Sequence, residues 1–409
     1  MLTVRRIYLY AVSAVSLVAV TWAVISLIRL ILDGGVGQGQ ITGLAWALAV
    51  IIVGLPIFLF HWLLAQRLAA GSVEERQSPV RHAFFYVIMA AAATPFFSNI
   101  YRLLDNLLLT LLDGVRLGYY PYNMTTADHL AALVVWGVVW VFVWRFVQTE
   151  KSETPAQIIN RGIRRIYLLA FSLAGLVMVA WGAFGLLQTI MEMLVGYAWR
   201  TPVANYTAQL LVGTAIWIGH WLALQRSFWH GHPDEERSVL RKVYLYVAVF
   251  VFSVVALSGG TLLLKRLIEL ALGASPSSEP LLSQLSTVVP MVIIGGVMWS
   301  YHWSVVREDA AQAPDSPRQA SVRRIYAYLV ATVGLVVTLT GIGGLLTVLV
   351  DILTDPPVIG LAAFRESLAS FLAMTVVGTP VWWLPWRARQ QRAFLSPGEG
   401  GPQDIGSAE

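Results

Sequence analysis

Val4-Arg5-Arg6-Ile7-Tyr8-Leu9-Tyr10 is the stretch from which the architecture of this chain can be read. It returns as Ile163-Arg164-Arg165-Ile166-Tyr167, as Leu240-Arg241-Lys242-Val243-Tyr244-Leu245-Tyr246 and as Val322-Arg323-Arg324-Ile325-Tyr326. A degenerate copy, Val80-Arg81-His82-Ala83-Phe84-Phe85-Tyr86, lies between the first two. Every copy opens a long apolar run, so the motif speaks to architecture; it names no activity.

The 409 residues are 57% hydrophobic and only 12% charged, about half the charged share of a soluble domain, which points to a membrane protein. A spanning helix needs about 20 apolar residues, and ten runs qualify. They fall into five hairpins: Ile7–Leu32 with Ile41–Gln66, Ala83–Leu112 with His129–Gln148, and Ile163–Leu194 with Tyr206–Phe228. Leu240–Leu272 with Leu282–Val306 and Val322–Leu353 with Arg365–Trp386 complete the set. The corresponding repeat segments are 1–70, 80–150, 161–230, 239–308 and 321–393, followed by a tail, 394–409, whose Gly, Pro and acidic residues predict disorder. Breaks such as Asp33-Gly34-Gly35, Thr201-Pro202 and Asp355-Pro356-Pro357 separate the runs. The first run is too long for a signal peptide's apolar region and lacks a small-residue cleavage site, so it reads as a retained helix.

Basic residues set the orientation. The N-terminus, the four linkers and the tail, with the helix ends beside them, hold 21 of the 28 Lys and Arg residues; seven, Arg29, Arg102, Arg116, Arg200, Lys265, Arg266 and Arg365, lie toward the hairpin tips. This bias predicts both termini in the cytoplasm, in a multi-pass protein of the inner (cytoplasmic) membrane. The net charge of +5 is therefore spent on topology and forms no basic face for nucleic acid. The chain has no cysteine, which removes disulfides, thiolate metal sites and cysteine nucleophiles.

The opening arginines are spaced by 76, 83, 77 and 82 residues, so Arg5, Arg164 and Arg323 are 159 apart twice over. That is a four-helix unit in two and a half copies, each unit a duplicated hairpin and all hairpins parallel. Offsets 24 and 28 from the first arginine hold Arg29 and Asp33, Gln188 and Glu192, Lys265 and Glu269, and Thr347 and Asp351. One helical turn apart, these read as polar helix ends that pair with each other, with an outward ring for an ion or substrate as the alternative.

A second motif closes the even helices: His61-Trp62, His220-Trp221 and, more weakly, His302-Trp303, each followed by an arginine. The other two hairpins keep Trp144 and Trp386 but carry Val143 and Pro385 in place of histidine. Tryptophan before arginine at a helix end is the pattern of an interfacial anchor, expected of Trp62, Trp144, Trp221, Trp303 and Trp386. His61, His220 and His302 are expected to make interfacial hydrogen bonds; haem or metal ligation, proton relay and a substrate-lining role are the alternatives. His129, His230 and His232 carry no spacing signal.

The middle of each span offers only hydroxyls such as Ser16, Thr21, Thr94, Ser98, Ser253, Thr338 and Thr340, and no carboxylate or lysine. Ion-coupled transporters place stronger groups there. Asp105 and Asn106 come nearest, with Arg102 a turn away as a partner for Asp105. Breakers at Gly54 and Pro56, at Pro290 with Gly295 and Gly296, and at Gly378 with Pro380 are read as kinked packing helices, and Gly182, Gly185, Gly259, Gly260, Gly341, Gly343 and Gly344 as sites of close helix packing. No phosphate-cradling loop, HExxH or serine–histidine–acid arrangement is present.

The Arg-Arg-Ile-Tyr-Leu-Tyr opening, the long apolar helix and the closing His-Trp helix resemble an uncharacterised family of bacterial integral-membrane repeats, domain of unknown function 5671. The resemblance covers residues 1–393 and implies no reaction. Together these readings predict an all-α polytopic membrane protein with no enzymatic role, acting as a scaffold or accessory membrane subunit; a transporter or channel for a small or lipidic solute is the alternative. The expected partners are the lipid bilayer and other membrane proteins or further copies of the chain. No cofactor and no metal is expected.

Overall fold

The computed structural model describes residues 2–32, 38–113, 125–149, 157–229, 238–273, 279–312, 316–354 and 360–395. Asp33-Gly34-Gly35, most of the Tyr-rich loop at 115–128, Asp355-Pro356-Pro357, His230, His232 and residues 396–409 of the tail lie outside them. Every regular element among the described residues is helical: α1 (Leu2–Leu32), α2 (Gln38–Gly71), α3 (Val73–Arg76), α4 (Pro79–Asp113), α5 (Thr126–Thr149) and α6 (Gln157–Met193), then α7 (Arg200–Trp229), α8 (Val239–Ala271), α9 (Leu281–Leu285), α10 (Val288–Gln312), α11 (Pro317–Leu353) and α12 (Leu361–Leu395). Ten stretches, taking α3 with α4 and α9 with α10, are long and apolar enough to cross a bilayer. In hydrocarbon the backbone must satisfy itself, which runs of this length do as helices.

The helices outrun the apolar stretches that announce them. Helix α11 starts at Pro317, ahead of Val322, because Ser316 caps it: the Ser316 hydroxyl accepts from the Gln319 amide, and the Gln319 side chain accepts from the Ser316 amide at 2.9 Å. Pro317 supplies a first helical residue whose missing N–H would have had no partner. Helix α12 continues past Trp386 to Leu395 through polar residues that apolarity does not detect. Thr201-Pro202, expected as a break, falls within the first turn of α7, where proline costs no hydrogen bond. The chain reverses after α8 at Gly273, whose φ of +66° favours glycine.

The chain divides into two compact units, Met1–Gly182 with Arg200–Arg226, and Ala183–Trp199 with Ser227–Glu409. In the first, α1 packs on α2 and α4 on α5, and α1 also touches α4 and α5; the part of α6 up to Gly182 packs on α7. In the second, α8 packs on α10 and α11 on α12, while α8 also touches α11 and α12.

Close backbone approach sets these pairings. Seven residues before His61, His220, His302 and Pro385 stand Gly54, Gly213, Gly295 and Gly378. A methyl group on Gly213 would lie 2.9 Å from the Val179 amide nitrogen, on Gly295 2.7 Å from that of Ala256, and on Gly378 2.8 Å from that of Thr338; on Gly54 it would meet the Val20 side chain at 3.0 Å. Val20, Val179, Ala256 and Thr338 each lie fifteen residues after the first basic residue of their motif, so four pairs share one register. Gly182 faces the Leu210 backbone, Gly259 meets Met291 and Val292, and Gly341 and Gly344 close on Thr375 and Phe371. Gly260 and Gly343 do not take part in this packing: a methyl group there meets nothing within 4 Å. The α4–α5 pair departs, with Trp136 at the register position and Gly137 against the Phe96 ring. Helices α2, α4 and α12 run without interruption through Pro56, Pro95, Pro380 and Pro385.

Candidate functional site: where the two motifs meet

The histidines of the closing motif meet the tyrosines of the opening motif. Ring centroids of Tyr8 and His61 are 5.7 Å apart, those of Tyr167 and His220 5.5 Å, and those of Tyr244 and His302 6.2 Å. In all three, Nδ1 lies 2.8 Å from the carbonyl oxygen one turn earlier, of Ile57, Ile216 and Met298 respectively. A carbonyl only accepts, so Nδ1 carries the proton, and in the neutral ring Nε2 is the acceptor. For His220 that lone pair faces the Tyr167 hydroxyl at 3.5 Å, and Tyr167 in turn accepts from Trp140 Nε1 at 3.5 Å. Where histidine is absent the match changes: Phe84 stands in the tyrosine position of the pair carrying Val143, and Tyr326, opposite Pro385, turns to Tyr246 at 5.0 Å. The co-occurrence of the two residue types in three hairpins was visible in the sequence; their contact was not.

Around His220 the first unit holds a cavity of about 340 Å³. Tyr86, Trp140, Trp144 and Tyr167 form aromatic walls, Ala215, Gly219 and Ala223 a smooth side on α7, and Arg164 and Gln148 lie at the motif end. His61 does not line it. Among the described residues no group of three or more His, Cys, Asp or Glu side chains could hold a metal ion.

Two motif arginines are buried. Arg81, 1% exposed, donates to the Tyr10 hydroxyl at 2.9 Å and to Gln66 Oε1 at 2.8 Å, with its guanidinium 5.0 Å from the Phe85 ring centre. Arg241 makes a two-point pair with Asp309, at 2.9 and 3.0 Å. Nearer the surface, Arg5 and Arg6 hold Glu75 at 2.6 and 2.8 Å.

At the opposite end of α4, the expected Arg102–Asp105 pair does not form within 4 Å: Arg102 lies over the Tyr101 ring, 5.4 Å from its centre, and Asp105 is held by Asn205. Asn205 also donates to the Tyr101 hydroxyl, and Asn106 is buried. His129, passed over in the sequence, donates from Nδ1 to Asn99 Oδ1 at 2.7 Å. Of the offset pairs, Gln188–Glu192 (2.9 Å) and Lys265–Glu269 (3.5 Å) pair as expected. Arg29 reaches Asp128 at 2.8 Å, its expected partner Asp33 lying outside the described residues, and the Thr347 hydroxyl bonds the Gly344 carbonyl. The tryptophans divide. Trp144 and Trp386 are exposed, and Trp303 stacks on Trp299. Trp62 sits among Phe84, Phe85, Phe142 and Phe146. Trp221 is only 3% exposed and packs among the buried residues.

No curated protein and no solved structure matches the chain. The description "Domain of unknown function (DUF5671)" matches residues 6–121, 165–291, 274–340 and 324–403. Those four matches cover most of the 409 residues, and the chain belongs to the family of domain of unknown function 5671.

Proposed function

We propose that this chain is a non-enzymatic scaffold or accessory subunit of the cytoplasmic membrane, built of five parallel hairpins with both termini in the cytoplasm. Its partners in this reading are the bilayer and other membrane proteins or further copies of the chain. One observation carries it: seven hydroxyls along the spans are turned back onto their own helices. Ser13, Ser16, Thr21, Thr94, Ser253, Thr338 and Thr375 each donate to the carbonyl four residues earlier, at 2.6 to 2.9 Å. Groups so committed pack helices and leave little to line a polar route. The common glycine register supports the repeated hairpin, and the three-to-one distribution of basic residues supports the orientation.

A transporter for a small or lipidic solute is the second reading, favoured by the cavity at His220. Purified protein in sealed vesicles separates the two: the scaffold reading expects solute leakage no faster than in protein-free vesicles, and a saturable flux overturns it. Reporter fusions at each terminus and in the 114–124 loop test the orientation, with the termini expected on the cytoplasmic side and the loop outside.

A further inference from the structure

We propose that the cavity at His220 binds one acyl chain of an anionic phospholipid, with the headgroup phosphate held by Arg164. Three observations converge on this ligand. The walls are aromatic and aliphatic, so they favour an apolar occupant. Along α4 the lining runs from Tyr86 to Phe97, about 16 Å at 1.5 Å per residue. That is about half of a 30 Å hydrocarbon core, the depth of one leaflet.

The third observation is the cation at the mouth. Arg164 opens the third motif and, among the described residues, has no hydrogen-bond or ion-pair partner. A guanidinium beside an apolar slot calls for an anion joined to an apolar tail, and a phosphate oxygen fits its fork of donors. Gln148 adds an amide at the same end, and Trp144, exposed beside it, suits headgroup depth. The slot is open because α7 presents small residues one turn apart, Ala215, Gly219 and Ala223. A methyl group on Gly219 meets nothing within 4 Å, so this glycine leaves space that no helix fills.

The test uses the full chain, purified in mild detergent, stripped of lipid and titrated with phosphatidylglycerol or phosphatidylcholine of identical acyl chains. Bound lipid is counted by native mass spectrometry. One phosphatidylglycerol should be retained under conditions that remove phosphatidylcholine. Arg164→Gln should weaken its retention roughly tenfold, the loss expected for a charged hydrogen bond. Gly219→Leu should abolish retention by filling the slot while leaving the charge in place. Arg67→Gln, at an exposed arginine that does not line the cavity, should change nothing. Thermal unfolding of each variant separates an emptied slot from a misfolded chain, and if Gly219→Leu misfolds, Arg164→Gln still decides. Equal retention of the two lipids, or retention unchanged by Arg164→Gln, overturns the proposal. So does displacement of phosphatidylglycerol by millimolar inorganic phosphate, which would make this a site for the free anion.

Discussion

Arg81 in the first unit and Arg241 in the second stand at the same position of the same motif, both buried, yet they keep different company. Arg81 donates to the neutral Tyr10 hydroxyl and Gln66 amide and lies over the Phe85 ring. Arg241 is gripped at two points by the Asp309 carboxylate, both side chains at most 6% exposed. Arg5, Arg164 and Arg323, at this position in the other three copies, are half-buried or exposed. The recurring motif thus fixes where a cation stands and leaves its surroundings to be solved locally. Neutral acceptors beside an aromatic ring, and a carboxylate, are two ways to offset the desolvation of a guanidinium.

The sharpest way to break this comparison is to remove one side of the ion pair. Asp309→Ala leaves a buried cation without its carboxylate and should cost about 3–5 kcal/mol, read as a fall in unfolding midpoint in detergent. The double change Arg241→Met with Asp309→Leu should recover most of it. In the first unit Gln66→Ala should cost less, about 1.5–3 kcal/mol for a hydrogen bond to a charged group, since Tyr10 and Phe85 remain. Equal losses from Asp309→Ala and Gln66→Ala would erase the distinction between the two settings.

Glycine substitutions sharpen the contrast between contact and open faces of one helix. Gly334→Ala drives a methyl group into the Trp382 backbone and should destabilise by about 1–3 kcal/mol. Gly343→Ala on the same helix meets open space and should stabilise by up to about 1 kcal/mol. The smallest effect belongs to the surface. Glu75→Ala removes the carboxylate shared by Arg5 and Arg6 but leaves Arg6 its contact with Glu74 at 3.1 Å, at a cost of under about 1 kcal/mol, visible as faster amide exchange in α3 while global unfolding barely moves.

The spans were legible because an apolar run of twenty or more residues has few alternatives. Their ends were not, since a helix such as α12 continues through Arg387 and Gln390 wherever the backbone can bond, and apolarity reports only the lipid-facing part. Arg81 and Arg241 read as interface charges, because burial depends on partners such as Tyr10 and Asp309, 71 and 68 residues away. The burial of Trp221 was hidden for a related reason: a ring followed by arginine looks the same in sequence whether it is exposed or packed on a neighbouring helix. The tyrosine–histidine contacts needed the pairing register, and that register is written in glycines seven residues from the histidines, a spacing detectable once the two motifs are aligned.

Those glycines bear on how such a chain can drift. A methyl group on Gly213 would fall 3.1 Å from the Gly175 carbonyl oxygen, and one on Gly378 3.1 Å from that of Gly334. At such separations Cα–H groups face carbonyls across the helix pair, a contact worth about half an ordinary hydrogen bond in an apolar medium. Adhesion made by the main chain does not consult most side chains. The third and fifth hairpins carry Trp217 and Trp382, His220 and Pro385, and different lipid-facing residues, and still close on the same seam. Helix pairs held this way are free to differ on every other face, so one seam serves a chain of unlike parts.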